Sequence, residues 1–371
     1  MEKVISVVVR GFTALAFAAT LSISPAFSAD PPSGELISIT PELIKAAQRE
    51  GSMSFRYSAQ KDYTEAIASD FMKQFPGIRV DLDRRVGTAG TQQFATEERA
   101  GKHIVDVHLT TDRAGLIRLS KEGLYLNFSP ADIRNNFPPQ VTVPGWGYSA
   151  YWTETVLPYN PQRITAQRAQ TMFATWNGLL DPSLKGRKIG IVAPNSATQS
   201  FTTMWMLLES PKYGKPFFEK LMAQTPVMFR ESGQGREALG AGEIDVLIGD
   251  VESLNVARFV EGSTLQWTYP ESVPSYASTF HAISKNAPHP NAARLYVAWI
   301  TSRDGAASIM RAGVRPTMKG VPDERPAIAK LKQTPWWKPY PEANRWIPDA
   351  NVWDAQYEKV LKELNATLGI K

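Results

Sequence analysis

The amino-acid sequence predicts an α/β protein: two doubly wound lobes joined by a two-crossing hinge, with a C-terminal helical cap. Three observations carry the architecture. Short strands of period two alternate with helices whose apolar residues recur every three or four positions, over residues 53–123 and again over 188–301. An aromatic extended run at 148–159 interrupts that alternation, and a second at 276–284 leads out of its second stretch. Strand and helix in steady succession favour parallel sheets covered by helices, so the two stretches read as two lobes and the runs as the crossings between them.

The elements follow in order. Residues 1–29 read as a secretory signal. Lys3 and Arg10 supply positive charge, residues 11–23 are apolar or small, and Ala26, Ser28 and Ala29 supply the small residues of a cleavage site. The apolar stretch is shorter than the roughly 20 residues of a membrane span. Residues 30–147 then form the first part of lobe one, 148–280 the second lobe with its flanking crossings, 281–330 the return into lobe one, and 331–371 the C-terminal helical segment. Thr40 caps a helix with Pro41 at its first position, and Gly51 ends it. Residues 53–57 form a strand. Residues 62–75 form a helix with Ile67, Phe71 and Phe75 on one face, and Ile78, Val80 and Leu82 alternate in the next strand. A Gly/Thr loop around Gly87 and Thr88 opens another helix. Val105, Val107 and Leu109 form a third strand, and the helix 114–122 closes at Gly123. In the second stretch the strands are 188–192, 227–231 and 245–248, with helices at 198–209 and 290–301.

Composition narrows the function. The chain has 371 residues and a formal charge of +5, with basic and acidic residues interleaved, so no stripe is concentrated enough to grip a phosphate backbone and nucleic acid is not an expected partner. It has no cysteine. That removes thiolate chemistry, disulfides, cysteine-ligated metals and a lipidated anchor. The expected product is a freely soluble periplasmic monomer.

Several segments resemble the bacterial extracellular solute-binding family that contains ferric-ion-binding proteins and relatives for polyamines, thiamine, sulfate and organophosphonates. Residues 55–60, the Gly/Thr loop 86–90, Asp106–Asp112, Leu184–Ile191, Gly242–Val246 and above all Ile283–Ala293 carry the resemblance. It implies the arrangement of a type II periplasmic binding protein, capture of a small solute by hinge closure and delivery to the inner-membrane permease of an ABC importer. Ferric-binding members present an adjacent tyrosine pair where this chain has Glu252 and Ser253, and a histidine where it has Lys61. Protonated lysine cannot ligate a metal, so no metal residues and no cofactor are assigned. Ferric-ion capture through non-tyrosine ligands and a synergistic anion stays as an alternative.

Ligands of open α/β sheets sit beyond the carboxyl ends of the strands, near helix N-termini. That rule, with the resemblance, nominates Ser58 and Lys61 after the first strand, Gly87 and Thr88 after the second, and Thr111 and Asp112 after the third. It also nominates Asn195, Ser196 and Thr198 after the strand 188–192. A helix start favours an anion by about 0.3–1 kcal/mol from its dipole. Glu252 would welcome a cation or amine unless Arg258 or its own helix start engages it. Tyr151, on the first crossing, could stack on an organic ligand or pack the hinge. Trp336, Trp337, Trp346 and Trp353 read as core packing of the terminal cap. Two other classes compete with a transport receptor: a ligand-sensing module, and a periplasmic hydrolase. His103, His108, His281 and His289 fall in no nucleophile-elbow or zinc-helix motif, so the chain is expected not to be an enzyme.

Overall fold

The computed structural model describes residues 34–85, 88–277 and 279–370. The expected signal segment and Gly87 lie outside them. The helix Pro41–Glu50 starts as its sequence dictates: Thr40 Oγ1 accepts from the Leu43 N–H at 3.2 Å, and Pro41 occupies a position whose N–H would have no helical partner. Gly51 ends it at φ 73°, in the left-handed region that a side chain resists.

The first sheet has six strands, in the order Arg79–Arg84, Ser52–Tyr57, Val107–Thr110, Phe280–Ile283, Gly147–Tyr148 and Thr142–Val143. The first three are parallel, and Phe280–Ile283 runs antiparallel beside Val107–Thr110. Helices Lys61–Gln74 and Pro290–Ile300 cover it through Phe71, Tyr296 and Trp299, whose rings lie 5.2–6.0 Å apart. Each such buried side chain contributes on the order of 1.5–3 kcal/mol.

The second sheet has eight strands. Val227–Phe229, Ile189–Val192 and Val246–Ile248 are parallel neighbours, followed by Thr153–Tyr159, Val273–Tyr276 and Arg345–Trp346. Asp250–Val251 and Gln266–Thr268 also pair with Thr153–Tyr159. Helix Thr198–Glu209 packs against this sheet, burying Phe201, Trp205 and Leu207.

The two extended runs do cross between the sheets. Tyr148 belongs to the first sheet and Thr153 to the second; Tyr276 belongs to the second and Phe280 to the first. The strands are shorter than the alternation suggests, beginning at Ile189 and Val246 and ending at Phe229.

The C-terminal third differs from expectation in two ways. The return does not stay with the first sheet to residue 330. It passes beside the first crossing, where Trp152 N–H donates to Arg315 O and Thr317 N–H to Ala150 O, each at 2.9 Å. Its helix Pro326–Leu331 then packs with Val156, Val256 and Trp267 of the second sheet's side. The chain therefore makes a third passage between the sheets. The C-terminal segment is also not purely helical, because Arg345–Trp346 adds a parallel strand beside Val273–Tyr276. Its helix Ala350–Leu368 lays Trp353, Tyr357, Val360, Leu364 and Leu368 against the second sheet's core.

Candidate functional site

The strand Val107–Thr110 ends at a loop braced by three hydroxyls and one carboxylate. Ser58 Oγ donates to Leu109 O at 3.2 Å and accepts from the Thr111 N–H at 3.0 Å. Thr91 and Thr110 share a buried hydroxyl contact of 2.9 Å, and Thr110 Oγ1 accepts from the Asp112 N–H. Asp112 caps the helix Arg113–Lys121 by accepting from the Gly115 N–H at 2.8 Å. A Cβ on Gly115 would strike that carboxylate, so glycine is what lets the cap form. The loop thus leaves Thr111 exposed and directs Arg113 off the first helical turn.

On the other sheet, the strand Ile189–Val192 ends at a turn that Ser196 closes on itself, its Oγ donating to Ala193 O at 2.9 Å. The helix Thr198–Glu209 follows. Its cap position is Ala197, which has no side-chain oxygen to offer, so no side chain satisfies the first N–H groups.

These two helix starts face one pocket. Thr111, Arg113, Gln140 and Phe280 line it from the first sheet's side, and Thr198 and Tyr276 from the second's. Ala277 sits between them on the second crossing. Ile347, Pro348 and Trp353 complete the wall from the C-terminal segment. Among the described lining residues the one charged side chain is Arg113. Its guanidinium donates to Thr142 O at 3.1 Å and lies 5.1 Å over the Phe280 ring. An apolar wall with a few convergent polar groups is the mix typical of small-ligand sites.

Of the residues nominated from sequence, Thr111 and Thr198 line this pocket. Ser58 and Asp112 shape its loop from behind. Asn195 and Ser196 are exposed in the turn before it. Thr88 opens the helix Thr88–Arg99. Lys61, 63% exposed, extends toward Glu65 at 3.8 Å and is not part of the wall. Tyr151 is buried in the hinge, its hydroxyl donating to Tyr63 Oη at 3.4 Å with the rings 5.3 Å apart edge to face, so packing is its role.

Glu252 needs correction. It is 2% exposed, and Arg325 donates to both its oxygens at 2.7 and 3.1 Å while the Tyr269 hydroxyl donates at 2.9 Å. Buried and already paired with a guanidinium and a phenol, it is closed to a ligand amine. Arg258, the partner weighed from sequence, pairs with Glu261 instead. Asp250 is likewise taken, by Arg236 at 2.5 Å and Asn255 at 2.9 Å.

Sequence reasoning missed Arg113, Gln140, Phe280 and Tyr276, and read Trp353 as core alone. Trp353 does pack on Phe201 and Trp205, at 5.2 and 5.1 Å, but it also faces the pocket. Arg113 stood one residue after a nominated cap, and Tyr276 and Phe280 stood on the crossing already identified; those adjacencies were the available signal.

The histidines stand away from the pocket. Burial pushes His108 down to about 3 and His281 down to about 4, too weak for bases at neutral pH. Ser52, His289 and Asp106 form a hydroxyl–imidazole–carboxylate chain, with contacts of 3.1 and 2.9 Å. Asp106 also accepts from the Ser54 and His289 N–H groups at 2.7 and 2.6 Å, so the chain ties strand to helix. Ser52 opens its strand, at the opposite end from Ser58, and none of the three lines the pocket. Among the described residues no group of three or more His, Asp or Glu side chains is placed to hold a metal. No described helix is long and apolar enough to cross a membrane.

Two mixed sheets, three passages between them and a pocket lined from both sides give a two-lobed architecture with a cleft. A profile of the bacterial extracellular solute-binding protein matches residues 57–307, and the chain belongs to that family. The family's role is solute binding, and it is not a class of enzymes. No curated protein matches the chain. Solved structures share the fold. Iron-bound HitA from Pseudomonas aeruginosa is 19% identical, with 84% of this chain and 99% of that one covered and a TM-score of 0.63. Trichodesmium IdiA (FutA), in complex with iron and citrate ligands, is 17% identical over 86% of this chain and 100% of that one, with a TM-score of 0.66. The substrate-binding protein of an ABC transporter from Agrobacterium tumefaciens is 15% identical over 85% and 94%, with a TM-score of 0.64.

Proposed function

We propose that the protein works in the periplasm, captures a small organic anion in the cleft, and presents it to the permease of an ABC importer. The observation that carries this reading is the wall itself: its charged side chain is a cation, Arg113, set between two helix starts with Thr111 and Thr198 at their heads. A guanidinium offers several donors in a fixed fork that suits a carboxylate or phosphonate. The start of the helix Thr198–Glu209, which no side chain caps, adds favourable partial charge for the same ligand.

The energetics are sufficient. A micromolar complex needs about 8 kcal/mol. Hydrogen bonds to a charged group contribute roughly 1.5–3 kcal/mol each, so four of them contribute about 6–12 kcal/mol, a range that spans the requirement before closure is subtracted.

Ferric ion suits the wall poorly. The one tyrosine in it, Tyr276, is buried, and burial holds its phenol well above the ordinary value, against forming phenolate. Two HitA- and FutA-like neighbours carry iron, yet here the tyrosine pair is replaced by Glu252 and Ser253, and Glu252 belongs to Arg325.

Thermal unfolding of the purified protein against carboxylates, phosphonates, sulfate, polyamines, thiamine and ferric citrate tests this reading. An organic anion is expected to raise Tm, since a ligand of the folded state stabilises it by mass action. A shift with polyamines alone, or with ferric salts and no organic anion, contradicts it.

A further inference from the structure

The family match ends at residue 307, yet the pocket wall includes Ile347, Pro348 and Trp353. We propose that this C-terminal strap is the specificity-determining wall, and that it selects an anion with a flat, unsaturated body: an aryl or comparably planar carboxylate. The inference rests on the cleft being the anion site and names what the rest of that anion must be.

The strap is anchored on both sides of the cleft. Arg345–Trp346 pairs in register with Val273 and Pro274 of the second sheet. The next residue, Ile347, packs against the first sheet's apolar cluster, while Trp353 packs into the second's. Between these anchors the chain passes along the pocket. Its shape is therefore fixed by packing rather than left to a free tail.

Two parts of the wall differ chemically. In one, Arg113 lies over Phe280. In the other, the Trp353 ring lies nearly parallel to Tyr276, at 16° and 6.3 Å between centroids, and Ile347 and Pro348 also line the pocket. Aromatic rings attract further rings in offset or edge-on arrangements. A carboxylate at Arg113 places the body of its ligand against Trp353 and Tyr276. A small inorganic or purely aliphatic anion leaves that wall unfilled. A quaternary ammonium would favour the rings but meets Arg113 as a like charge.

Calorimetric titration of the purified protein with benzoate, acetate and glycine betaine tests the assignment, in the wild type, Trp353→Phe and Trp353→Ala. Benzoate is expected to bind at least tenfold more tightly than acetate. Trp353→Ala is expected to remove most of that preference by weakening benzoate and sparing acetate, and Trp353→Phe to keep it. Circular dichroism melts identify any variant that has lost its fold, in which case the wild-type benzoate-to-acetate ratio and the Phe variant decide. Equal binding of benzoate and acetate, or a preference unchanged in Trp353→Ala, overturns the strap's role while leaving the cleft an anion site. Tighter binding of glycine betaine than benzoate overturns it as well. Binding of none of the three overturns the strap's role and counts against the anion site too.

Discussion

Two helices of the second sheet begin in the same way and end up with opposite roles. Thr198–Glu209 follows the parallel strand Ile189–Val192, and Glu252–Val260 follows the parallel strand Val246–Ile248 by way of the short antiparallel Asp250–Val251; each opens with a polar residue where ligands of such sheets are found. Thr198 lines the pocket, with no side chain capping its helix. Glu252 is sealed beneath the returning chain, held by Arg325, which Asp323 braces at 2.8 Å. The difference comes from the C-terminal third. One part of it covers the second helix start, and another part, the strap, walls the first. A strand–loop–helix unit offers a site, and the segment arriving later decides which offer is kept.

That comparison can be broken by removing the cover. Arg325→Met leaves a buried carboxylate at Glu252 without its ion partner, a loss that typically costs about 3–5 kcal/mol. The expected result is the largest fall in Tm of any single change named here, and a stability like wild type would show that Glu252 is not sealed. Glu252→Gln keeps the shape and a neutral acceptor. Its stability is expected to fall by roughly 1–3 kcal/mol, with ligand affinity within twofold of wild type. A tenfold loss of affinity would return Glu252 to the site.

The uncapped helix start sharpens the comparison from the other side. Thr198→Ala is expected to weaken the bound anion about tenfold, the scale of one lost hydrogen bond of about 1.4 kcal/mol, with Tm unchanged. Ser196→Ala is expected to do least. Its hydroxyl serves the Ala193 carbonyl of its own turn, so calorimetry should find affinity within about twofold. Equal effects of the two substitutions would mean the turn, not the helix start, meets the ligand.

Legibility in the sequence follows the same division. Alternation and punctuation expose local elements, so the strands, the Thr40 cap and the helix 198–209 could be read almost to the residue. Thr198 was readable because its strand, loop and helix are contiguous. Glu252 was not, because its partner Arg325 lies 73 residues away and charge pairing at that distance leaves no local pattern. Trp353 was half readable. Its spacing with Tyr357 and Val360 marks an apolar face, but nothing local distinguishes a ring that only packs from one that packs and also borders a cavity. The third passage was hidden for a related reason: residues 315–331 carry no alternation, and their placement is set by contacts with Ala150, Trp152 and Trp267.

The central claim, a cleft that holds an organic anion against Arg113, is most directly tested by calorimetry of Arg113→Met with the anion that most raises the wild-type Tm. At least a 30-fold rise in Kd is expected, about 2 kcal/mol for a lost charge-assisted contact, with the melting profile preserved. The same Kd in variant and wild type would contradict the claim.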